Sequence, residues 1–468
     1  MMREPPFALL KRPPPMELRG RRVLVLGLGD TGLSAARWVE KAGGTARVAD
    51  TRDSPPRRAE YGGEFHGGAF RERLLEGVDL VCISPGISLE EAIVGKALER
   101  GIPVVGDIEL FAWQVRGKTR SRVIAVTGTN GKTTVTALAG HLLRGAGIDC
   151  EVAGNIGPSA LHSLLKRKQE DRMPAVWVLE LSSYQLETTW SLAADAAALL
   201  NLTEDHLDRY AGIEHYGAAK ARIFMGASVQ VLNRDDPRSL ALAPAGDARM
   251  TFGLDAPKNG WDFGVAGAVL VQGATPVLDA GELPLHGAHN VSNALAACAL
   301  ARAMGVPLAA LGAGLRSFRG LPHRVELVAT RRGVEWYDDS KGTNVGATVA
   351  AITGLRKPVY LIAGGEGKGQ DFAPLAAPVS QFARKVLLIG RDAPLIGRAL
   401  ASSGVPVEQH KSLEDAVAAA AREAAAGEAV LLSPACASFD MFRDYRHRGE
   451  AFAAAVKGLG PATGGPSS

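Results

Sequence analysis

Val123-Ile124-Ala125-Val126-Thr127-Gly128-Thr129-Asn130-Gly131-Lys132-Thr133-Thr134-Val135 is the stretch from which the rest of the chain can be read. Its opening apolar run suits a strand buried on both faces, as in a parallel sheet. The glycine-rich turn that follows, leading into a helix, lets backbone N–H groups face a polyphosphate. Lys132 would then meet the terminal phosphates, and the Thr133 hydroxyl suits magnesium, which prefers hard oxygen donors. Gly128, Thr129, Asn130, Gly131, Thr134 and Val135 complete the candidate nucleotide loop. The general phosphate-loop pattern wants glycine where this chain has Val126, so the match is to a shortened variant. A plain strand-to-helix turn with an exposed lysine is the bland competitor, and it leaves the choice of residues unexplained.

Outward from this loop, two further strands carry polar residues at their carboxyl ends, where open α/β sheets bind ligands. Ala175–Leu179 leads into Glu180, placed where an acid would hold magnesium, and then into Ser182 and its polar neighbours. Ala196–Leu200 leads into Asn201-Leu202-Thr203-Glu204-Asp205-His206-Leu207-Asp208-Arg209, a dense polar set that could orient a metal or substrates. Lys220 is the sharpest physical clue. In a helix, Tyr216, Ile223 and Phe224 share its face, so its ammonium projects from an apolar surface. A buried cation is costly unless paired, and one beside magnesium would be worse. A lysine carbamate, an anionic oxygen ligand, would answer both problems. A lysine whose stem lies on the core while its head reaches water fits the spacing equally well.

Upstream, Val23–Leu26 reads as another buried strand, followed by Gly27-Leu28-Gly29-Asp30-Thr31-Gly32, a G-x-G-x-x-G turn. Asp50 falls 18 residues after Gly32, about where a ribose-binding acid lies in nicotinamide enzymes. Such an oxidoreductase is the competing reading, but it leaves the central loop unexplained. The turn itself says only that a diphosphate-bearing molecule could dock there, with Ser84-Pro85-Gly86-Ile87 closing over it. Downstream, three strand ends carry Asp338–Asn344, Ala363–Lys368 and Ser433–Asp440. Lysines and hydroxyls on glycine-rich turns can clamp carboxylates and phosphates, so an anionic substrate is indicated.

Composition bounds these readings. A length of 468 residues predicts two or three domains. Strands alternate with helices throughout, which predicts α/β folding with parallel sheets covered on both faces. The net charge of +4 argues against a nucleic-acid surface. Cys82, Cys150, Cys298 and Cys436 lie far apart, giving neither a disulfide framework nor a zinc site, and suit a reducing cytoplasm. No uncharged apolar run is long enough to span a membrane. We divide the chain into a flexible lead-in (1–20), three domains (21–117, 118–319 and 320–468), and a disordered tail from Gly458.

Taken in order, these segments closely resemble the Mur ligases of peptidoglycan synthesis. The motifs that carry the resemblance are Gly27–Ser34, Gly128–Thr134, Gly154–Gly157, Glu180–Glu187, Asn201–Tyr210, Gly287–Ala297, Gly320–Glu326, Asp339–Asn344, Gly364–Lys368 and Ser433–Gly449. The resemblance implies a Rossmann-like N-terminal domain, a P-loop-type central ATPase domain and a Rossmann-like C-terminal domain. It is nearest to the branch that adds D-glutamate to UDP-N-acetylmuramoyl-L-alanine with ATP, through an acyl phosphate. That is a cytoplasmic step of cell-wall synthesis, on which cell shape and division depend. It implies the uridine diphosphate near Asp30, Thr31, Asp50, Thr51, Arg52, Ser84, Pro85, Gly86 and Ile87, and the muramoyl side near Asn155, with Ser182 also on the substrate side. Adenine would lie near Asn290 and Asn293, with Arg324 and Asp339 close by. Magnesium, at two sites that manganese could also fill, would take Thr133, Glu180, His206 and a carbamylated Lys220. D-glutamate would meet Thr343, Lys368, Ser438, Tyr445 and His206, with Lys341 at the phosphates. Lys132, Glu180, His206, Lys220 and Lys341 are thus the expected catalytic set, in a monomer without nucleic-acid or membrane partners. Gly342, Glu366 and Tyr445 depart mildly from the family pattern. Ligases adding another amino acid, folylpolyglutamate synthases and a non-catalytic nucleotide-binding module remain the alternatives.

Overall fold

The computed structural model describes residues 5–246, 248–285 and 287–459. The first four residues of the expected lead-in, and residues 460–468 of the expected tail, lie outside the described residues; Gly458, the expected start of the tail, instead ends helix Tyr445–Gly458. Three sheets organise the described residues. The first runs, from edge to edge, Glu64–Gly67, Thr45–Asp50, Arg22–Leu26, Leu80–Ile83 and Val104–Val105. All its pairings are parallel, and the strand order in chain sequence is 3-2-1-4-5, the doubly wound order of dinucleotide-binding folds. The second sheet has nine strands. Arg122–Thr127 lies inside it, between Ala196–Leu199 and Val176–Glu180 and parallel to both. The third centres on Ala429–Leu432, between Val334–Asp338 and Val359–Gly364.

The expected strands of the central loop region formed almost residue for residue, because each is a short apolar run buried on both faces. Two expectations need correction. The sheets are not parallel throughout: Phe263–Ala266, Val269–Gln272 and Thr275–Asp279 form an antiparallel extension. Glu326–Arg331 likewise pairs antiparallel with Val334–Asp338. Each hairpin turns in two residues, and left-handed Gly267, Gly273 and Gly333 supply the positive φ that such tight turns need. The lead-in is also not loose where it is described. Phe7, Leu10 and Leu18 are buried in the first core, where removing their apolar surface from water seats the segment.

The described chain forms two compact units. One holds the chain through Leu202 with Arg209–Glu282 and Ser292–Ser317, and so contains the first two sheets. A continuous core runs under both, from Val23–Leu26 to Trp177, Tyr216 and Phe224. The other unit holds Thr203–Asp208, Leu283–Val291 and the chain from Phe318, and contains the third sheet. That sheet is covered on both faces, by clusters around Leu361 and Ile352 and around Ile362 and Phe452. No helix among the described residues is long and apolar enough to cross a membrane.

Candidate active site

In the first unit, the phosphate-loop candidate follows a strand that is buried from Val123 to Thr127. Gly131 takes a left-handed φ of 81° at the start of helix Lys132–Gly145. A side chain there would meet Asn293 Oδ1 at 2.4 Å, so glycine is required on two counts. Asn201, at the end of the neighbouring strand, pins the turn. Its carbonyl accepts from Thr129 N at 3.0 Å, its Oδ1 accepts from Asn130 N at 2.8 Å, and its Nδ2 donates to Asn130 O at 3.1 Å. Lys132 Nζ donates to the Gly128 and Thr129 carbonyls, both at 2.8 Å, which keeps the cation over the loop. The structure thus brings Asn293 to the loop. Asn201, read only as part of a polar run, emerges as the brace.

Glu180 is the last residue of strand Val176–Glu180, paired in register with Val126. It is 2% exposed. Its Oε1 accepts from Asn155 Nδ2 at 2.7 Å, while buried Oε2 has no hydrogen-bond partner among the described residues. A buried carboxylate oxygen left unpaired is costly, and a hard divalent cation is the partner that would satisfy it. Lys220, on helix Ile213–Ala221, is 1% exposed. Its Nζ donates to the Gly128 carbonyl at 2.9 Å and lies 4.5 Å from the centre of the Tyr216 ring. The snorkelling alternative is therefore excluded for this side chain. The Glu180 oxygen and the hydroxyl of half-buried Thr133 are hard donors of the kind magnesium takes. Ser182 caps helix Ser183–Glu187 through a capping box with Gln185, so its hydroxyl is committed first to local structure.

The glycine turn of the first sheet is equally close-packed. A side chain on Gly32 would come within 1.8 Å of Gly27 O. Asp50 is 1% exposed. Its Oδ2 accepts from Leu28 N and Arg52 Nη2, both at 2.8 Å, and its Oδ1 accepts from Arg52 N at 3.0 Å and Arg52 Nε at 2.8 Å. Burial works against its charge, but these bonds outweigh it and hold the carboxyl below the usual aspartate value. Asp50 therefore shapes the loop. Arg52, Thr51 and Asp30 are the exposed groups around it, and Arg57 pairs with Asp30 at 2.5 Å. Thr31 O accepts from Ser34 Oγ at 2.8 Å. Ser84 Oγ donates to Gly27 O at 3.3 Å, so the turn with Pro85 and Gly86 does close against the glycine loop.

In the second unit, Asn290 and Arg324 line one cavity of about 480 Å³, with Leu321, Pro322, Tyr337 and Glu326 among its walls. Asp339 is buried; its Oδ2 accepts from Ser433 Oγ at 2.7 Å. Burial pushes its carboxyl up to about 7, against the Ser433 bond and the Arg324 charge. Lys341 Nζ sits 3.8 Å from the centre of the Tyr445 ring. Lys368, with a left-handed φ of 53°, donates to Asp205 Oδ1 at 3.0 Å. Asp205 Oδ2 accepts from Asn344 Nδ2 at 3.4 Å and lies 3.7 Å from His206 Nε2. Asp205 thus gathers His206 and Lys368, two expected site residues. Thr343 is half-buried before helix Val345–Leu355, whose start Asn344 caps, and Ser438 is 3% exposed.

Two members of this region escaped the sequence reading. His323 Nδ1 lies 2.7 Å from Asp338 Oδ2, while its backbone N donates to Glu326 at 2.9 Å. Arg448, 1% exposed, ties the Ser340 and Cys436 carbonyls together at 2.9 and 3.1 Å. Burial lowers its guanidinium to about 10. Both lie within the quoted motifs, but only folding shows which partner each one meets.

Three family models match in chain order: a Mur ligase MurD-like N-terminal domain over residues 21–106, a Mur ligase middle domain over 126–301, and a Mur ligase glutamate ligase domain over 323–436. The UDP-N-acetylmuramoylalanine–D-glutamate ligase of Nitrosospira multiformis is 54% identical over 466 residues, 97% of this chain and 98% of that protein. The enzyme of the same description from Nitrosomonas europaea is 50% identical over 457 residues, 94% of this chain and 97% of the relative. Among solved structures, a UDP-N-acetylmuramate–alanine ligase from Thermotoga maritima aligns with a TM-score of 0.60 at 18% identity, covering 93% of this chain and 99% of that one. A MurF structure from Acinetobacter baumannii aligns with a TM-score of 0.59 at 17% identity, covering 94% and 90%. At such identities the two structures speak for the fold alone. With relatives at half identity along nearly its whole length and three domain models matched in order, the chain belongs to the Mur ligase family.

Proposed function

We propose that the protein joins the amino group of D-glutamate to the alanyl carboxylate of UDP-N-acetylmuramoyl-L-alanine, with cleavage of ATP to ADP and phosphate. The reading is carried by near full-length similarity to D-glutamate ligases in a chain that keeps a braced phosphate loop beside Glu180 and Lys220. It places the reaction in the cytoplasmic phase of peptidoglycan synthesis, performed by a monomer with neither nucleic acid nor membrane as partner.

Lys132 and the loop from Gly128 to Val135 hold the triphosphate. Asn290, Asn293, Arg324 and Asp339 hold the rest of the nucleotide. The uridine diphosphate takes Asp30, Thr31, Thr51, Arg52 and the turn Ser84–Ile87, in a loop shaped by Asp50, and the muramoyl group takes Asn155 and Ser182. Thr133, Glu180 and a carbamylated Lys220 are the oxygen ligands for magnesium or manganese, and His206 keeps the metal-ligand role expected of it, with two ions in all. Bound magnesium would neutralise charge on the γ-phosphoryl oxygens. The alanyl carboxylate oxygen attacks the γ-phosphorus and ADP leaves, while Lys132 stabilises the charge in flight. The neutral amine of D-glutamate then attacks the acyl carbon, phosphate departs, and the nitrogen gives up a proton. Lys368, Thr343, Ser438 and Tyr445 orient the amino acid, and Lys341 neutralises the departing phosphate.

The test offers UDP-N-acetylmuramoyl-L-alanine with D-glutamate, L-glutamate, L-alanine and L-lysine in turn, following ADP. Release only with D-glutamate is expected. Release with another amino acid instead would assign the chain to a different branch, and ATP binding without product from any pair would leave a nucleotide-binding module.

A further inference from the structure

We propose that Arg209 is a positioning residue for the uridine-diphosphate end of the substrate, acting through the turn Ser84–Ile87; this rests on the reading above that the turn closes over that end. Arg209 Nη1 donates to the Pro85 carbonyl at 3.0 Å, and Nη2 donates to the Ile87 carbonyl at 3.1 Å. The same Nη2 pairs with Glu187 Oε2 at 3.0 Å. The guanidinium carbon stands 4.1 Å from the centre of the Tyr184 ring. The cation is thus fixed by two carbonyls, a carboxylate and an aromatic face. The Arg209 and Glu187 side chains are 17% and 5% exposed, so water screens the pair little.

The geometry of the turn explains why such a clamp matters. Its first residue is tied to the glycine loop: Ser84 N donates to Leu26 O at 2.9 Å, and Ser84 Oγ donates to Gly27 O. That loop is itself held rigid by the close approach of Gly32 to Gly27. The far half of the turn is gripped through the carbonyls of Pro85 and Ile87, the two that meet the guanidinium. A planar fork can serve two carbonyls two residues apart and still face a carboxylate; a lysine ammonium, a single point of charge, cannot do so with the same geometry. Arg209 therefore sets the height at which the turn stands over the glycine loop, and with it the fit of a diphosphate between them.

The experiment uses the full-length enzyme with Arg209→Met, Arg209→Lys and Glu187→Gln, measuring KM for each of the three substrates, kcat, and the Ki of UDP alone. Arg209→Met is expected to raise KM for UDP-N-acetylmuramoyl-L-alanine and the Ki of UDP together, by about tenfold or more. Arg209→Lys is expected to fall between, and Glu187→Gln to have a smaller effect in the same direction. KM for ATP and D-glutamate, and kcat, should stay within about twofold. A parallel rise of all three KM values would mark a merely structural role and overturn the proposal. So would an unchanged KM for the uridine substrate. Should Arg209→Met fail to fold, Arg209→Lys carries the same comparison. A parent enzyme that does not turn over the uridine substrate would instead refute the functional reading on which the inference stands.

Discussion

Lys220 Nζ lies 2.9 Å from the Gly128 carbonyl, so a buried lysine on one helix touches the first glycine of the phosphate loop on another element. On the proposed function, this amine is carbamylated and serves as an anionic metal ligand. Lys220→Ala should lower turnover by ~10²–10³-fold, the scale seen when one electrostatic stabiliser is removed. Added formate or acetate should restore part of it, because a small carboxylate can occupy the space and supply the oxygen. Loss without any rescue over a broad concentration range would count against the carbamate.

Gly131 should tolerate no side chain. Its φ of 81° costs a non-glycine residue about 1–2 kcal/mol, and the added carbon would strike Asn293 Oδ1. Gly131→Ala is expected to raise KM for ATP at least about tenfold and to lower Tm by about 2–4 °C per kcal/mol lost. Parent-like ATP kinetics would show that the loop does not grip phosphate.

The Lys368–Asp205 pair separates binding from stability. Lys368→Met should raise KM for D-glutamate about tenfold or more, through loss of a charged contact to a carboxylate. It also removes the Lys368 ion pair from Asp205, which is 8% exposed, at a cost of roughly 1–3 kcal/mol. Adding Asp205→Asn should recover stability and leave the D-glutamate KM high. If the double variant restored KM as well, Lys368 would be a structural lysine.

A pH effect is expected at Asp107, the first residue of helix Asp107–Val115. Asp107 is fully buried, its Oδ2 accepting from Gln185 Nε2 at 3.2 Å, and burial pushes its carboxyl up to about 6 from 3.8. The folded state then binds a proton that the unfolded chain has released, so stability falls as pH rises between about 4 and 6 and levels off above. Asp107→Asn should remove this slope. The difference in unfolding free energy between parent and variant, followed by urea titration across that range, should change in the variant's favour as pH rises. A constant difference would show that Asp107 is already ionised throughout.

Much of this was legible in the residues. The buried strands around Val123, Val176 and Ala196 are short apolar runs that end in polar residues, the pattern of strands covered on both faces. Helical spacing alone put Lys220 on an apolar face, and burial at 1% confirms that placement. The lead-in was misread because its prolines and charges outnumber its apolar residues, although Phe7, Leu10 and Leu18 suffice to seat it. The antiparallel hairpins were passed over because their signal is a two-residue turn within weakly alternating strands.

The chain by itself determined the kinds of chemistry present: a glycine-rich turn ending in lysine and threonine, acids at strand ends, and a lysine among apolar neighbours. These follow from local rules of spacing and side-chain character. Partnership was decided only by the tertiary structure. Asn201 braces the loop, Asp50 is spent on Arg52 and Leu28, Asp205 gathers His206 and Lys368, and Arg209 grips a turn more than a hundred residues earlier in the chain. Hydrogen bonds and ion pairs depend on distances of about 3 Å, and sequence separation carries no information about such distances until the strands have set their register.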